Sequence, residues 1–535
     1  MSQTAQAPQA PQKAQAPRAA QAPRTRRRSA RIVGVAAAML AVALPLSGCA
    51  TWFAAPVVTS DPTGESVVDE LAPLYSQILS WSDCGNGMQC ATATAPLSWE
   101  APAGETIDLA LVRQTATSGT ALGSLLVNPG GPGGSGYDLV HDTVDFATSE
   151  RLQENFDIVG FDPRGVNLST PISCYSDPAT LDSFIFDIFP GERGSDEWLA
   201  QANAANAQFG ADCLANTGEL LGHVDTVSAA RDLDLLRAIL GDEKLNYLGF
   251  SYGTELGQTY AGLFPDKTGR LVLDGAVDPT ASNYDVSSFQ AQGFESALRA
   301  FLADCPSLDG CPFRGTVDES MVTVRALLDT LDASPIRNAD GRELGANTMF
   351  TAIILPLYNP DNWPTLASVF DYAMAGDASF PFVVADAYYD RSEDGTYASN
   401  STEAFTAINC LDAPIDRNVD TMRAEAAALD AAAPVFGHLM AWGGTACYDW
   451  PFEPTGTPTA ITAEGSTDIL VVGTTNDPAT PYAWAEAVAA QLANGHLVTY
   501  TGEGHTAYNK SNDCILNTVD DYFISGTVPA ADPQC

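Results

Sequence analysis

Leu245-Asn246-Tyr247-Leu248-Gly249-Phe250-Ser251-Tyr252-Gly253-Thr254-Glu255-Leu256-Gly257-Gln258-Thr259-Tyr260-Ala261 is the stretch that decides the fold of this chain. Leu245 to Leu248 read as a short buried strand, Thr254 to Ala261 as the start of a helix, and between them stands G-x-S-x-G. A serine on a sharp strand-to-helix turn is lifted clear of the backbone and exposed at the top of a sheet. Gly249 and Gly253 suit that turn because a Cβ at either position would clash in so tight a bend. The pentapeptide alone recurs by chance in loops. The strand before it and the helix after it make Ser251 a candidate nucleophile.

The strand-then-helix rhythm continues on both sides. Ser124 to Val127 is an apolar run ending in the glycine-rich loop Asn128–Gly136, and Phe156 to Phe161 ends at Asp162-Pro163-Arg164-Gly165. Val227 to Leu240 has helical periodicity, with Asp225 or Thr226 as N-cap and Gly241 at its end. Arg270–Leu273, Ile469–Val472 and Leu497–Tyr500 complete the set, and Ala91–Trp99 with Thr106–Thr115 reads as a hairpin ahead of it. Apolar runs separated by helices predict an α/β fold with a mostly parallel central sheet covered on both faces. From about 280 to 433 the rhythm is lost. Gln290–Ala303, Ser320–Leu331 and Thr421–Ala431 look helical, so this region reads as one inserted, mainly helical cap.

A serine hydroxyl needs a base, and the base needs an orienting carboxylate. The chain has five histidines: His141, His223, His438, His496 and His505. His505 lies in Gly502-Glu503-Gly504-His505-Thr506, directly after the last strand, where catalytic groups of parallel sheets gather. His496 precedes that strand, at the other end of the sheet; His141 and His223 fall before the serine, and His438 in the cap or at its boundary. The order Ser…Asp…His points to Asp477, just after the Ile469–Val472 strand and before Pro478, with Asp274 as the alternative acid. Oxyanion donors are expected from the backbone of Tyr252 and of Gly131 in the glycine loop. That loop lacks the G-x-x-x-x-G-K-[ST] pattern of a phosphate cradle.

Charge and cysteines bound the setting. The chain has 535 residues. Its first 48 carry seven basic and no acidic residues; the remaining 18 basic residues stand against all 66 acidic ones, a formal charge of −48. Such a surface repels nucleic acid and anionic lipid, so a nucleic-acid partner is not expected. It serves solubility and attracts cations, and is not in itself evidence of catalysis. Arg26-Arg27-Arg28 and Arg31 precede an apolar run, Ile32 to Leu46, too short for an ordinary membrane span. Leu46-Ser47-Gly48-Cys49 resembles a bacterial lipobox, which implies export and a lipid on the Cys49 thiol. Ten cysteines remain, an even number in an oxidising compartment. Ten cysteines allow many connectivities, among which sequence alone does not choose. Short separations suggest Cys84 with Cys90 and Cys305 with Cys311; Cys174 with Cys213, Cys410 with Cys447 and Cys514 with Cys535 would follow by order along the chain. No histidine stands at a zinc-site spacing beside them, so no metal and no cofactor are expected.

Taken as a set, Asn128–Gly136, Asp162–Gly165, Gly249–Gly253, Asn476–Pro481 and Gly502–His505 resemble the secreted tripeptidyl aminopeptidases of the α/β-hydrolase fold, relatives of the proline iminopeptidases. The resemblance covers roughly residues 80–280 and 435–535, and the segment with Cys514, Tyr522, Gly526, Pro529 and Cys535 resembles that family's C-terminal TAP-like region. It departs from proline iminopeptidases in one respect: their glycine loop begins with histidine, and Pro129 stands there here. The organisation expected is a leader at 1–48, a tether and extension at 49–80, a hydrolase core at 81–279 and 434–535, and the cap at 280–433. The resemblance implies a lipid-anchored, extracytoplasmic serine exopeptidase. It would release short peptides from free N-termini, with acidic residues at the cap–core boundary receiving the substrate's amine. A carboxylesterase or lipase would use the same triad, and an inactive envelope binding protein would share the scaffold; hydrolysis of aminoacyl amides against p-nitrophenyl esters, and fluorophosphonate labelling, separate the three.

Overall fold

Runs of aliphatic residues bounded by polar turns build the sheet. The computed structural model describes residues 58–535, so the leader, Cys49 and the first part of the tether lie outside the described residues. The described strands are β1 (Val58–Thr59), β2 (Ser80–Asp83), β3 (Gln89–Pro96), β4 (Thr106–Gln114), β5 (Ser124–Asn128), β6 (Asp157–Phe161), β7 (Leu245–Phe250), β8 (Thr268–Asp274), β9 (Ile336–Arg337), β10 (Glu343–Leu344), β11 (Ile469–Asn476) and β12 (Gly495–Glu503). Ten form one sheet in the order β1-β2-β3-β4-β6-β5-β7-β8-β11-β12, while β9 and β10 pair with each other. From β6 across to β12 every neighbouring pair is parallel. The pairings from β1 through β4 and onto β6 are antiparallel.

The pleat sends alternate side chains of the central strands into two separate cores. Leu126, Tyr247, Leu271, Leu273, Ile469 and Val471 face one, with the helices Thr226–Leu240 and Tyr252–Leu263 packed over them. Leu125, Val127, Leu248, Val272, Leu470 and Val472 face the other, covered by Ile515, Val519 and Phe523 of the helix Asp513–Ser525. Burial on both faces explains why these strands read as continuous apolar runs. β5 has β6 on one side and β7 on the other, so the strand order reverses there, and a crevice opens beyond the carboxyl ends of β5 and β7.

β11 and β12 run longer than their apolar cores indicate, ending at Asn476 and Glu503. His496 is therefore inside β12, as its second residue, not before it. Residues 58–80, read as tether and extension, belong to the fold: β1 pairs with β2, Leu74 and Tyr75 are buried, and Glu65 binds Arg237 and Lys267 at 2.7 Å each. Their linker-like composition hid an edge strand and a buried ion-pair network. Seven helices of ten or more residues lie between β8 and β11 among the described residues, from Asn283–Asp304 to Val419–Ala432. The first five supply a core that includes Phe301, Leu328, Ile353 and Phe370, whereas Ala404, Ile408 and Leu411 of Ser401–Asp412 pack into the core of the sheet. Two helices from before the elbow join them. Phe186, at the end of Pro178–Phe186, enters the core around Phe301, and Trp198 and Leu199 of Asp196–Thr217 pack with Met422. The alanine- and asparagine-rich stretch 196–217 has no clear apolar stripe, which is why the sequence did not show that part of the cap. The five expected cysteine pairs, Cys84–Cys90, Cys174–Cys213, Cys305–Cys311, Cys410–Cys447 and Cys514–Cys535, are bonded.

The Asp162–Gly165 turn after β6 is an anchor. Arg164 is fully buried and spends every donor: Nε and Nη2 on Asp232 at 2.7 Å each, Nη1 on the carbonyls of Leu97 and His223 at 2.9 Å, and Nη2 again on Pro96 O at 3.1 Å. The bond network ties β6 to the β3–β4 hairpin and to the helix Thr226–Leu240. Arg164→Ala strands the buried Asp232 carboxylate and is expected to cost about 3–5 kcal/mol, read as a fall in the urea midpoint; an unchanged midpoint would show that the anchor is dispensable.

Candidate active site

The elbow is built as the sequence implied. Ser251 adopts φ 54° and ψ −126°, a left-handed conformation rare for a residue with a side chain and associated with functional strain. A Cβ on Gly249 would lie 2.4 Å from Gly253 O, so the two glycines meet backbone to backbone across the turn. The Ser251 N–H donates to Asp274 O at 2.9 Å, which ties the elbow to the end of β8.

The acid and the base come together from adjacent loops. Asp477 is 2% exposed and follows β11; its Oδ1 and Oδ2 lie 2.9 and 3.0 Å from His505 Nδ1. Three backbone N–H groups also donate to that carboxylate, those of Ala479 and Thr480 to Oδ1 and that of Thr506 to Oδ2. Burial works against ionisation, but the charge and hydrogen bond of His505 and the backbone donors outweigh it, holding the Asp477 carboxyl below the ordinary carboxylate value. Thr480 Oγ1 lies 3.3 Å from the same ring nitrogen. Asp274, the alternative acid, faces the backbone instead: it accepts from Ala507 N and Tyr508 N at 2.8–3.0 Å, and burial pushes its carboxyl up to about 6. It braces the base loop and does not orient the base. Ser251 forms its hydrogen bonds through backbone atoms, accepting from Thr254 Oγ1 at 2.6 Å as well. Among the described residues its hydroxyl is not bonded to His505; such bonds are often long before substrate arrives and tighten in the complex. His505 borders one small cavity of about 120 Å³, lined also by Pro129, Thr506 and Phe250, the residue before Ser251.

The glycine loop lies directly against the elbow. Gly130 has φ 94°, and a Cβ there would stand 2.4 Å from Phe250 O and 3.0 Å from Tyr252 N. No side chain fits between the loop and the elbow amide. Among the described residues the N–H groups of Gly131 and Tyr252 donate to no other backbone group, as an oxyanion pair requires. Asn128 Oδ1 holds the loop by accepting Gly130 N at 2.9 Å. At its far end Ser135 Oγ donates to Asp162 at 2.6 Å, and burial raises that carboxyl to about 6.

Sequence reading did not name two further groups. Glu255, one turn beyond Ser251, is partly buried, and burial raises its carboxyl to about 7. Asp412 ends the cap helix Ser401–Asp412 and accepts from Thr226 N at 2.7 Å and Thr226 Oγ1 at 2.6 Å. Burial and the nearby Glu255 carboxyl push Asp412 well above the usual range. Tyr252, whose amide is the expected oxyanion donor, reaches Thr226 Oγ1 with its hydroxyl. The acid pair thus stands one tyrosine side chain away from the oxyanion site. Only the position of Glu255 on the elbow helix was visible beforehand; Asp412 is 161 residues from Ser251.

A serine on a strained elbow, an acid–histidine pair at the ends of β11 and β12, and free amides on the elbow and in the loop after β5 define an α/β-hydrolase that works by acyl transfer through serine. Residues 433–535 match the family model described as TAP-like protein. The chain is 36% identical to "Serine protease Hip1" of Mycobacterium tuberculosis over 95% of this chain and 99% of that protein. It is 35% identical to "Carboxylesterase B" of the same organism over 87% and 91%. It is 31% identical to "Tripeptidyl aminopeptidase" of Streptomyces lividans over 85% and 86%. The chain belongs to this family of TAP-like α/β-hydrolases and is a serine peptidase.

Proposed function

We propose that the chain is an aminopeptidase that removes short peptides, tripeptides foremost, from free N-termini of exported polypeptides, and that it is held at the extracytoplasmic membrane surface by lipid on Cys49. Ser251 attacks the scissile carbonyl, His505 takes the serine proton and returns it to the leaving amine, and Asp477 orients and stabilises the imidazolium. The amides of Gly131 and Tyr252 receive the oxyanion. The observation that carries the exopeptidase reading is the Glu255–Asp412 pair beside Tyr252. A site that discriminates free from blocked N-termini needs negative charge set back from the reacting carbonyl, and a bound ammonium would compensate two carboxyls that burial otherwise keeps protonated.

The pair makes the reading testable through pH. A carboxyl raised to about 7 is neutral below that pH and anionic above it. KM for peptides with a free N-terminus is therefore expected to rise as pH falls through about 7, while N-acetylated peptides are poor substrates throughout. Glu255→Gln is expected to raise KM for free peptides about 10- to 100-fold, the range of a lost charge-assisted hydrogen bond, and to flatten that limb. Equal cleavage of free and acetylated peptides by the wild-type chain would remove the amine assignment. Product masses from a mixed peptide library give the number of residues released. Metabolic lipid labelling of the full chain, expected to be lost in Cys49→Ser, checks the anchor.

The relative named Carboxylesterase B favours a second reading, ester hydrolysis by the same triad. A kcat/KM for p-nitrophenyl esters far above that for tripeptidyl amides would establish it.

A further inference from the structure

We infer that Tyr358, on the cap, is a positioning residue for the base His505. The inference rests on the triad reading given above. Tyr358 follows the cap helix Ala346–Leu357, and its carbonyl accepts the His505 backbone N–H at 2.8 Å. Its ring packs against the imidazole in a tilted arrangement, with centroids 5.3 Å apart and planes at 43°. The His505 ring is thus held at Nδ1 by Asp477 and packed against an aromatic side chain that comes from a different part of the fold.

The ring of Tyr358 is itself held in place. It packs 5.9 Å from Phe294, on the cap helix Asn283–Asp304. The same helix grips the acid loop: Gln290 Nε2 donates to Ala479 O at 3.0 Å, and Ser296 Oγ donates to Asn476 Oδ1 at 2.6 Å. One cap helix therefore fixes the acid loop directly and the base through Tyr358. An edge bond to Asp477 leaves the imidazole free to rock about that bond, and the packed aromatic ring limits this freedom. When His505 takes the Ser251 proton it becomes an imidazolium, a cation that an electron-rich ring at 5.3 Å stabilises. The cap that covers the substrate is in this way part of what holds the base.

Fluorophosphonate reacts with the activated serine whatever acyl group the enzyme prefers, so its rate reports the triad separately from peptide binding. Tyr358→Leu and Tyr358→Met both remove the ring and keep apolar bulk, so failure of one to fold leaves the other to decide. Each is expected to slow fluorophosphonate labelling of Ser251 and to lower peptide kcat in parallel, about 10- to 100-fold as for a slightly misplaced catalytic group, with KM within about twofold. Tyr358→Phe keeps the ring and is expected to stay within about twofold of wild type in both. Labelling of the folded ringless variants at the wild-type rate, a loss confined to KM, or a Phe variant as slow as the Leu variant would each overturn the inference. Wild-type chain that does not label at Ser251 would overturn the triad itself, and this inference with it.

Discussion

His505→Ala is expected to lower kcat by about four to six orders of magnitude with little change in KM, as for removal of a base in a unit whose members act together. The imidazole would have two tasks, taking the Ser251 proton during attack and returning it to the leaving amine, and among the described histidines only His505 bonds to Asp477. His141 bonds to Asp142 and Cys84 O, His496 pairs with Asp468 at the opposite end of β12, and His438 lies in the cap, where burial first and then Arg325 and Arg193 lower its value to about 4. The variant is expected to fold, since the His505 side chain remains 14% exposed and its backbone bond to Tyr358 O survives. Single-turnover hydrolysis together with a thermal scan separates loss of chemistry from loss of fold. Activity near wild type would show that the base is elsewhere.

Asp477→Asn is expected to cost about 10⁴-fold in kcat while preserving the shape of the site. The carboxylate accepts from His505 Nδ1 and three backbone N–H groups, so every hydrogen at the site points toward it. An amide keeps one oxygen for Ala479 and Thr480 but turns an NH₂ toward His505 and Thr506. The imidazole must then expose an acceptor at Nδ1 and carry its proton on the nitrogen meant for Ser251, which is the wrong tautomer for a base. Two buried donors also meet, and about 1–3 kcal/mol of stability is expected to go with them. The pH dependence gives an independent check. A carboxyl held below its unfolded value of about 3.9 stabilises the fold above that pH, and the contribution fades as pH falls through the lower folded value. The wild-type advantage in a denaturant midpoint is therefore expected to shrink in strong acid. A kcat within tenfold of wild type would point to another acid.

Residues whose role follows from a local backbone pattern were legible. The elbow needs a strand, two glycines and a helix, all within seventeen residues. Parallel strands buried on both faces announce themselves as apolar runs, and catalytic loops follow their carboxyl ends, so Asp477 and His505 could be found by order alone. The glycine loop shows through its composition, because its backbone runs so close to the elbow that a Cβ on Gly130 would stand 2.4 Å from Phe250 O. The five cysteine pairs follow chain order because each closes a loop of 39 residues or fewer.

What stayed hidden depends on contacts between distant segments. Residues 58–80 looked like a tether, because an edge strand held by one ladder and by Glu65 has no apolar periodicity of its own. The cap looked like one insertion, yet it recruits helices from before the elbow, because Phe186 and Trp198 find their partners only in three dimensions. Asp412 and Tyr358 are ordinary cap residues until the cap closes onto the core. Short-range pattern and strand order carried the α/β scaffold and the candidate nucleophile, base, acid and oxyanion loop. Which acid pair stands beside Tyr252 and which aromatic ring packs against His505 emerged only in three dimensions, since these are matters of long-range packing and of burial, which shifts a carboxyl's charge with no local trace in the chain.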